Sequence, residues 1–291
     1  MVSRRDFAQF LTVTVPGLIP LTARAAGGPR ILVHAHRGAR ARRPENTLPA
    51  FEYAIREGVD ALEMDMAVTK DNVIVISHDP LLHPPVCSGP LESAAIRTQT
   101  LSEVRQWDCG KVRNPAFATQ QPVPGTRMPT LDDVFQLAAK GTFDYNIETK
   151  SFPEHPEYTP PPEEFARMVL AKIRQYKLAK RVILQSFDFR TLVAMRKLAP
   201  EIRLSALTST DKRDFAEITA EAGKAEIISP ESRLVTPAKV EAAHKAGLQV
   251  VPWTANTEAE WARLVEAKVD AIISDDPASL IAYLKKNGLR S

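Results

Sequence analysis

Two stretches decide the reading of this chain: HAHRGARARRPENTLPAF, from His34 to Phe51, and DALEMDMAVTKDNVIVISHD, from Asp60 to Asp79. Each begins with a short apolar run that reads as a strand and ends in polar residues. Side chains alternate along a strand, so Glu63 and Asp65 point to one side while Leu62, Met64 and Met66 point to the other. A sheet whose apolar face packs outward on helices would turn those acids toward an interior. Two buried carboxylates on one face repel each other and lose hydration, at several kcal/mol per ion unless something compensates. A hard divalent cation supplies that compensation, and oxygen donors select Mg²⁺, Ca²⁺ or Mn²⁺.

Outward from these stretches, strands and helices alternate. Strands are expected at Arg30–His36, Asp60–Met66, Phe143–Thr149, Arg181–Ser186, Ile202–Ala206, Ala225–Ser229, Leu248–Thr254 and Asp270–Ser274, with a further extended run at Val73–His78. Helical periodicity fills the gaps at Thr47–Glu57, Leu131–Ala139, Glu163–Tyr176, Phe189–Leu198, Lys212–Ala222, Pro237–Ala246, Glu258–Ala267 and Pro277–Lys286. Gly58 follows the first helix as a C-terminal glycine, and Thr130 is placed to cap the second. Eight strands alternating with helices predict an α/β fold, a closed (β/α)8 TIM barrel. An open doubly wound sheet would carry a G-x-G-x-x-G turn after its first strand, and none is present. The 291 residues suit one barrel, which needs ~250. The Pro-, Gly- and Gln-rich text from Asp79 to Pro129, with one expected helix near Leu101–Trp107, reads as a small insertion after the second strand. That is the side on which barrels bind substrate.

The first 25 residues do not read as barrel. Ser3-Arg4-Arg5-Asp6-Phe7 resembles a twin-arginine export signal. A broken apolar run, Phe10 to Thr22, follows, and Ala23-Arg24-Ala25 offers a small-x-small cleavage site. The run is too short to span a bilayer, where ~20 apolar residues are needed. The alternative is an amphipathic N-terminal helix that stays attached. Removal of residues 1–25 takes out Arg4, Arg5, Arg24 and Asp6, lowering the net charge from +3 by two, to +1. Residues 26–291 would then form the catalytic domain, in a periplasmic or secreted enzyme. With both signs of charge dispersed and no basic stripe, a nucleic-acid partner is not expected. Cys87 and Cys109 lie in the insertion, where an oxidising compartment would allow a disulfide; unpaired thiols are the other reading.

The remaining polar residues cluster at strand ends. His36 ends the first strand and His78 the Val73–His78 run, and two histidines can serve as base and acid near neutral pH. Arg37 can clamp phosphate oxygens with its planar fork, and Lys150 can add a point charge. Asn146, Glu148 and Lys150 share one face of their strand, which makes Glu148 the natural third metal ligand beside Glu63 and Asp65. Phe187 and Trp253 read as pocket wall or as core. His34, His83, His155 and His244 read as structural.

These residues fall into an ordered series: Ala35-His36-Arg37-Gly38, Pro44-Glu45-Asn46-Thr47, Glu63-x-Asp65, Thr69-x-Asp71, His78-Asp79, Pro129-Thr130-Leu131, Asn146-x-Glu148-x-Lys150, Gln185-Ser186-Phe187, Trp253-Thr254 and Ser274-Asp275-x-Pro277. In that order they resemble the glycerophosphodiester phosphodiesterase family, across most of the chain from His34 to Pro277. The resemblance implies a (β/α)8 barrel, one divalent cation (Ca²⁺ or Mg²⁺) and hydrolysis of glycerophosphodiesters to sn-glycerol 3-phosphate and an alcohol. It implies Glu63, Asp65 and Glu148 as metal ligands, His36 and His78 as the acid–base pair, Arg37 and Lys150 as phosphate contacts, and Glu45 as a residue that orders the substrate site. Asn72 departs from the family pattern, standing where glycine is common after the T-x-D motif. A lysophospholipase D-like or cyclising phosphodiesterase would use the same residues. A phosphodiester-binding protein without catalysis and a sugar-phosphate isomerase are more distant readings, and the isomerase would not need three clustered carboxylates.

Overall fold

A computed structural model of the protein describes residues 30–290; the export-signal segment expected at 1–25 lies outside the described residues. The first strand, β1 (Leu32–Ala35), leads through a loop into α1 (Leu48–Glu57). Gly58 closes that helix with φ 78°, the left-handed geometry of a C-terminal glycine. β2 (Ala61–Val68) runs upward, and β3 (Ile74–Ile76) folds back against its end as an antiparallel arm. Asn72 sits in the connecting turn at φ 59°, where asparagine substitutes for glycine at little steric cost. The insertion follows, with β4 (Leu81–Leu82) paired to β5 (Ala94–Ala95), then α2 (Leu101–Val104); beyond it the chain returns to the barrel with α3 (Leu131–Phe135). The rest alternates strictly: β6 (Asp144–Thr149), α4 (Pro162–Gln175), β7 (Val182–Ser186), α5 (Phe189–Leu198), β8 (Arg203–Thr208), α6 (Phe215–Glu221), β9 (Ile227–Pro230), α7 (Pro237–Lys245), β10 (Gln249–Val250), α8 (Glu258–Glu266), β11 (Ala271–Ser274) and α9 (Pro277–Lys286).

Eight strands pair in parallel in the order β10, β9, β8, β7, β6, β2, β1, β11. Backbone bonds from Asp270 N–H to Val250 O and from Ile273 N–H to Pro252 O, both 3.0 Å, join β10 to β11 and close the cylinder. The (β/α)8 barrel expected from the alternation is therefore what forms. Several expected elements are shorter than their sequence pattern, among them the Val73–His78 run, regular at Ile74–Ile76, and the Leu101–Trp107 helix, regular at Leu101–Val104. The strand expected over Leu248–Thr254 is regular only at Gln249–Val250, because Pro252 has no N–H to give the ladder. The helix expected over Leu131–Ala139 keeps its Thr130–Asp133 capping box but tightens into a 3-10 turn from Gln136. The one expected from Lys212 begins at Phe215.

Met64 and Met66 on β2, Val33 on β1 and Leu184 on β7 face outward and are fully buried under the helices. Inside, Ile183, Ile227, Val251, Ala271 and Ile273 form an apolar plug. The strand register sets Glu63 beside Asn146, Asp65 beside Glu148, and Glu148 beside Gln185. Side chains in one row of a parallel sheet share a face, so these polar groups converge inside the barrel.

The insertion has its own small core around the fully buried Trp107, with Val75, Leu82, Ile96, Val104 and Met128. Cys87 and Cys109 pair there as a disulfide, so the alternative of two unpaired thiols does not hold. The insertion also grips the β1–α1 loop. Gln120 Nε2 donates to Arg40 O at 2.7 Å and to Arg43 O at 3.2 Å, and Gln121 N–H donates to Arg42 O at 3.0 Å.

Candidate active site

The β1–α1 loop delivers the first half of the site. Gly38 (φ 89°) lies so close to α1 that a Cβ there would sit 2.7 Å from Ala50 Cβ, so only glycine fits. Arg37 has φ 49° and Asn46 φ 55°, and both are pinned: Asn46 N–H donates to Arg37 O at 2.9 Å, and Arg37 N–H to Glu63 Oε2 at 2.8 Å. The turn, which follows the C-terminal end of β1, thereby packs against Glu63 of β2; strand C-termini form the catalytic face in barrel enzymes.

Glu63, Asp65 and Glu148 each offer an oxygen, and these atoms lie within 4.8 Å of one another. All three residues are buried. Burial pushes the Glu148 carboxyl up to about 8 and also raises Glu63, with the neighbouring Asp65 charge adding to both. Burial acts on Asp65 too, but Arg37, His78, Lys150 and the hydrogen bond from Asn46 hold it below the ordinary carboxylate range. Three hard oxygen donors, two of them pushed toward the neutral form by burial and mutual repulsion, fit a divalent cation, which would offset that repulsion.

The cationic partners are equally specific. Arg37 donates from Nη1 to Glu45 Oε1 at 2.6 Å, and its Nε lies 3.4 Å from Asp65 Oδ2. Arg40 meets the other Glu45 oxygen at 2.8 Å. Lys150 Nζ lies 3.2 Å from Glu148 Oε1. Asn46 Nδ2 donates to Asp65 Oδ2 at 2.9 Å, and Gln185 Nε2 to Glu63 Oε1 at 2.8 Å.

Each histidine has a carboxylate partner. His36 Nδ1 is 2.5 Å from Asp275 Oδ1, and His78 Nδ1 is 2.7 Å from Asp79 Oδ1. Burial lowers the His36 pKa from its usual value, against the raising effect of Asp275. A cavity of about 270 Å³ opens among His36, Arg37, Glu63, Asp65, His78, Glu148 and Lys150, with Arg40, Gln185, Phe187 and Trp253 also in its wall. Phe187 and Trp253 meet edge to face with ring centroids 5.4 Å apart.

Nine of the ten residues singled out from the sequence thus line one cavity. Glu45 does not; it lies behind the wall, 6% exposed, bridging Arg37 and Arg40. His34 is buried inside the barrel and outside the cavity lining, and burial holds its pKa down to about 4. Sequence reasoning gave no role to Asp275, Gln185, Asn46, Arg40 or Asn256. Asn46, Gln185 and Asp275 lay inside the motif series and could have been found there, whereas nothing in the sequence marks Asn256.

An acidic cluster able to hold a cation, two carboxylate-backed imidazoles and carboxylate-held cationic side chains lining the cavity at the mouth of a (β/α)8 barrel define a phosphodiester-cleaving barrel enzyme. Comparison with known proteins makes the class specific. Residues 36–279 match the Glycerophosphoryl diester phosphodiesterase family, and the chain belongs to it. A glycerophosphodiester phosphodiesterase of Caldanaerobacter subterraneus subsp. tengcongensis is 32% identical over 263 residues, covering 89% of this chain and 100% of that protein. One from Bacillus subtilis is 29% identical over 266 residues, covering 85% and 84%. Among solved structures, a candidate glycerophosphoryl diester phosphodiesterase from Silicibacter pomeroyi superimposes with a TM-score of 0.83 at 30% identity, covering 91% of this chain and 96% of that one. An Oleispira antarctica phosphodiesterase, solved with the product sn-glycerol-3-phosphate, shares the fold with a TM-score of 0.75 at 23% identity, covering 88% and 97%. The protein is a phosphoric diester hydrolase of this family.

Proposed function

We propose that the protein hydrolyses glycerophosphodiesters to sn-glycerol 3-phosphate and an alcohol, using one divalent cation, Ca²⁺ or Mg²⁺, and His36 and His78 as proton-transfer groups. The observation that carries this reading is the convergence of Glu63, Asp65 and Glu148 oxygens within 4.8 Å beside both imidazoles. Those three residues would hold the cation, which supplies Lewis-acid polarisation of a nonbridging phosphate oxygen. Arg37 and Lys150 face the cavity and bind the remaining phosphate oxygens, the first as a planar fork and the second as a point charge. Glu45 acts from behind, holding Arg37 and Arg40 apart and aimed. Burial favours neutral His36, which suits it to accept the proton of the attacking oxygen, either water or the glycerol 2-hydroxyl, the latter followed by hydrolysis of the resulting cyclic phosphate by water. His78 then donates to the leaving alkoxide. Phe187 and Trp253 give the cavity an apolar wall against the carbon skeleton of the substrate.

The purified mature protein, assayed on several glycerophosphodiesters and lysophospholipids with and without chelator, tests this. Phosphorus NMR should show glycerol 3-phosphate as product, with activity lost in EDTA and restored by Ca²⁺ or Mg²⁺. Substitution of His36 or His78 by alanine should each cost at least ~10²-fold in kcat. A cyclic phosphate as final product, or a lysophospholipid as the preferred substrate, would replace this reading with the cyclising or lysophospholipase D-like one.

We also propose export to the periplasm or beyond by the twin-arginine route. The Ser3–Phe7 motif supports it, as does the Cys87–Cys109 disulfide, since such bonds persist in oxidising compartments. Replacing Arg4 and Arg5 together by lysine should hold the precursor in the cytoplasm, as cell fractionation would show. Among the described residues no helix is long and apolar enough to cross a membrane.

A further inference from the structure

The ends of β1 and β11 meet where His36 N–H donates to Ser274 O at 3.0 Å. That contact brings Asp275, 239 residues away in the chain, to within 2.5 Å of His36 Nδ1. Asp275 is 7% exposed and is itself held from two sides. Asn256 Nδ2 donates to its second carboxylate oxygen at 2.8 Å. The Asn256 Oδ1 accepts the Asp275 backbone N–H at 2.9 Å and the Ser274 hydroxyl at 3.2 Å. Arg40 Nε stands 4.0 Å from the oxygen that meets His36. Burial works against the Asp275 charge, yet His36, Arg40 and Asn256 keep it below the ordinary carboxylate range, so it is an anionic acceptor.

A neutral imidazole carries its proton on one nitrogen and its lone pair on the other, and the bond made by the first decides which. A ring that donates from Nδ1 to a buried carboxylate leaves the Nε2 lone pair free. We propose that Asp275, clamped by Asn256, is the positioning residue for His36: it fixes the Nδ1–H tautomer and aims Nε2 into the cavity. The inference rests on His36 being a proton-transfer group. His78 is held differently. Its partner Asp79 is the adjacent residue, with its side chain 41% exposed, and Asp79 also meets His83 at 3.3 Å. The two imidazoles therefore differ in how rigidly they are held, and His36 is the one locked by tertiary structure.

The test uses the full-length enzyme with its activating cation and the variants D275N, N256A, H36A and H36A/D275N. D275N should lower kcat at least ~10²-fold, as removing the carboxylate behind a catalytic histidine does elsewhere, with KM and cation affinity little changed. N256A, which leaves both His36 and Asp275 in place, should cost less than D275N. Nitrogen-15 NMR of the imidazoles should show the His36 signature passing from Nδ1–H to Nε2–H in D275N. In the H36A background D275N should cost nothing further, because its effect runs through the ring it positions. D275N at wild-type turnover while H36A is inactive, an unchanged tautomer signature, or an equal further loss in the H36A background would overturn the positioning role and leave the acid–base reading standing. H36A at wild-type turnover would instead overturn the acid–base reading, and the inference with it.

Discussion

Gln185, on β7, donates from Nε2 to Glu63 Oε1 at 2.8 Å, across the interior from β2. The other Glu63 oxygen accepts the Arg37 backbone N–H at the same distance. Both oxygens of one carboxylate of the acidic cluster are thus held in place, so that Glu63 would present a fixed oxygen to a cation. Outer partners of this kind are typically worth about 10- to 100-fold in metal affinity. Substitution of Gln185 by leucine should weaken the activating cation by about that much with the barrel still folded, as calorimetric titration with Ca²⁺ and Mg²⁺ would show. Unchanged affinity would mean that Glu63 needs no such support.

The Glu45 carboxylate holds Arg37 at 2.6 Å and Arg40 at 2.8 Å, and it is buried. Glu45→Gln keeps the shape but loses the charge that aims both guanidinium groups. Misplacing a phosphate clamp by about an ångström can cost on the order of 10²-fold in rate. Steady-state kinetics on glycerophosphocholine should show a fall in kcat/KM of that order, and wild-type values would make Glu45 a bystander.

His34 gives the protein a built-in acid sensitivity. Burial depresses its folded pKa from 6.5 to about 4, so between those values the unfolded chain binds the proton that the folded chain refuses. Its contribution to stability is complete above pH 6.5 and is lost as pH falls toward 4. The gap amounts to about 3 kcal/mol. Urea unfolding at pH 7 and pH 4.5 should show the wild type losing more stability on acidification than His34→Gln does. Equal losses in the two proteins would refute this.

The Cys87–Cys109 disulfide spans 22 positions and staples the small core that grips the β1–α1 loop. In the chain-entropy model such a loop is worth about 3 kcal/mol. The double serine variant should unfold at lower urea by roughly that free energy. Thiol titration of the denatured, unreduced wild type should find no free cysteine.

The alternation of Leu62, Met64 and Met66 with Glu63 and Asp65 already declares which side of β2 faces the helices and which faces the barrel axis, because strand periodicity is local. The same holds for Asn146, Glu148 and Lys150 on β6, and the count of strands and helices fixes the (β/α)8 class. His36, His78 and Arg37 were legible as strand-end polar groups. What the sequence could not show is which partner stands behind each of them. Asp275 reaches His36 only because β11 closes the cylinder against β1, and Gln185 reaches Glu63 only through the register of β2, β6 and β7. Gln120 reads as an ordinary loop residue, yet it is 2% exposed and anchors the loop that carries Arg37. Residue type and periodicity determine which way a side chain points. Distances between residues more than two hundred positions apart are set by closure, twist and register, and these belong to the whole fold.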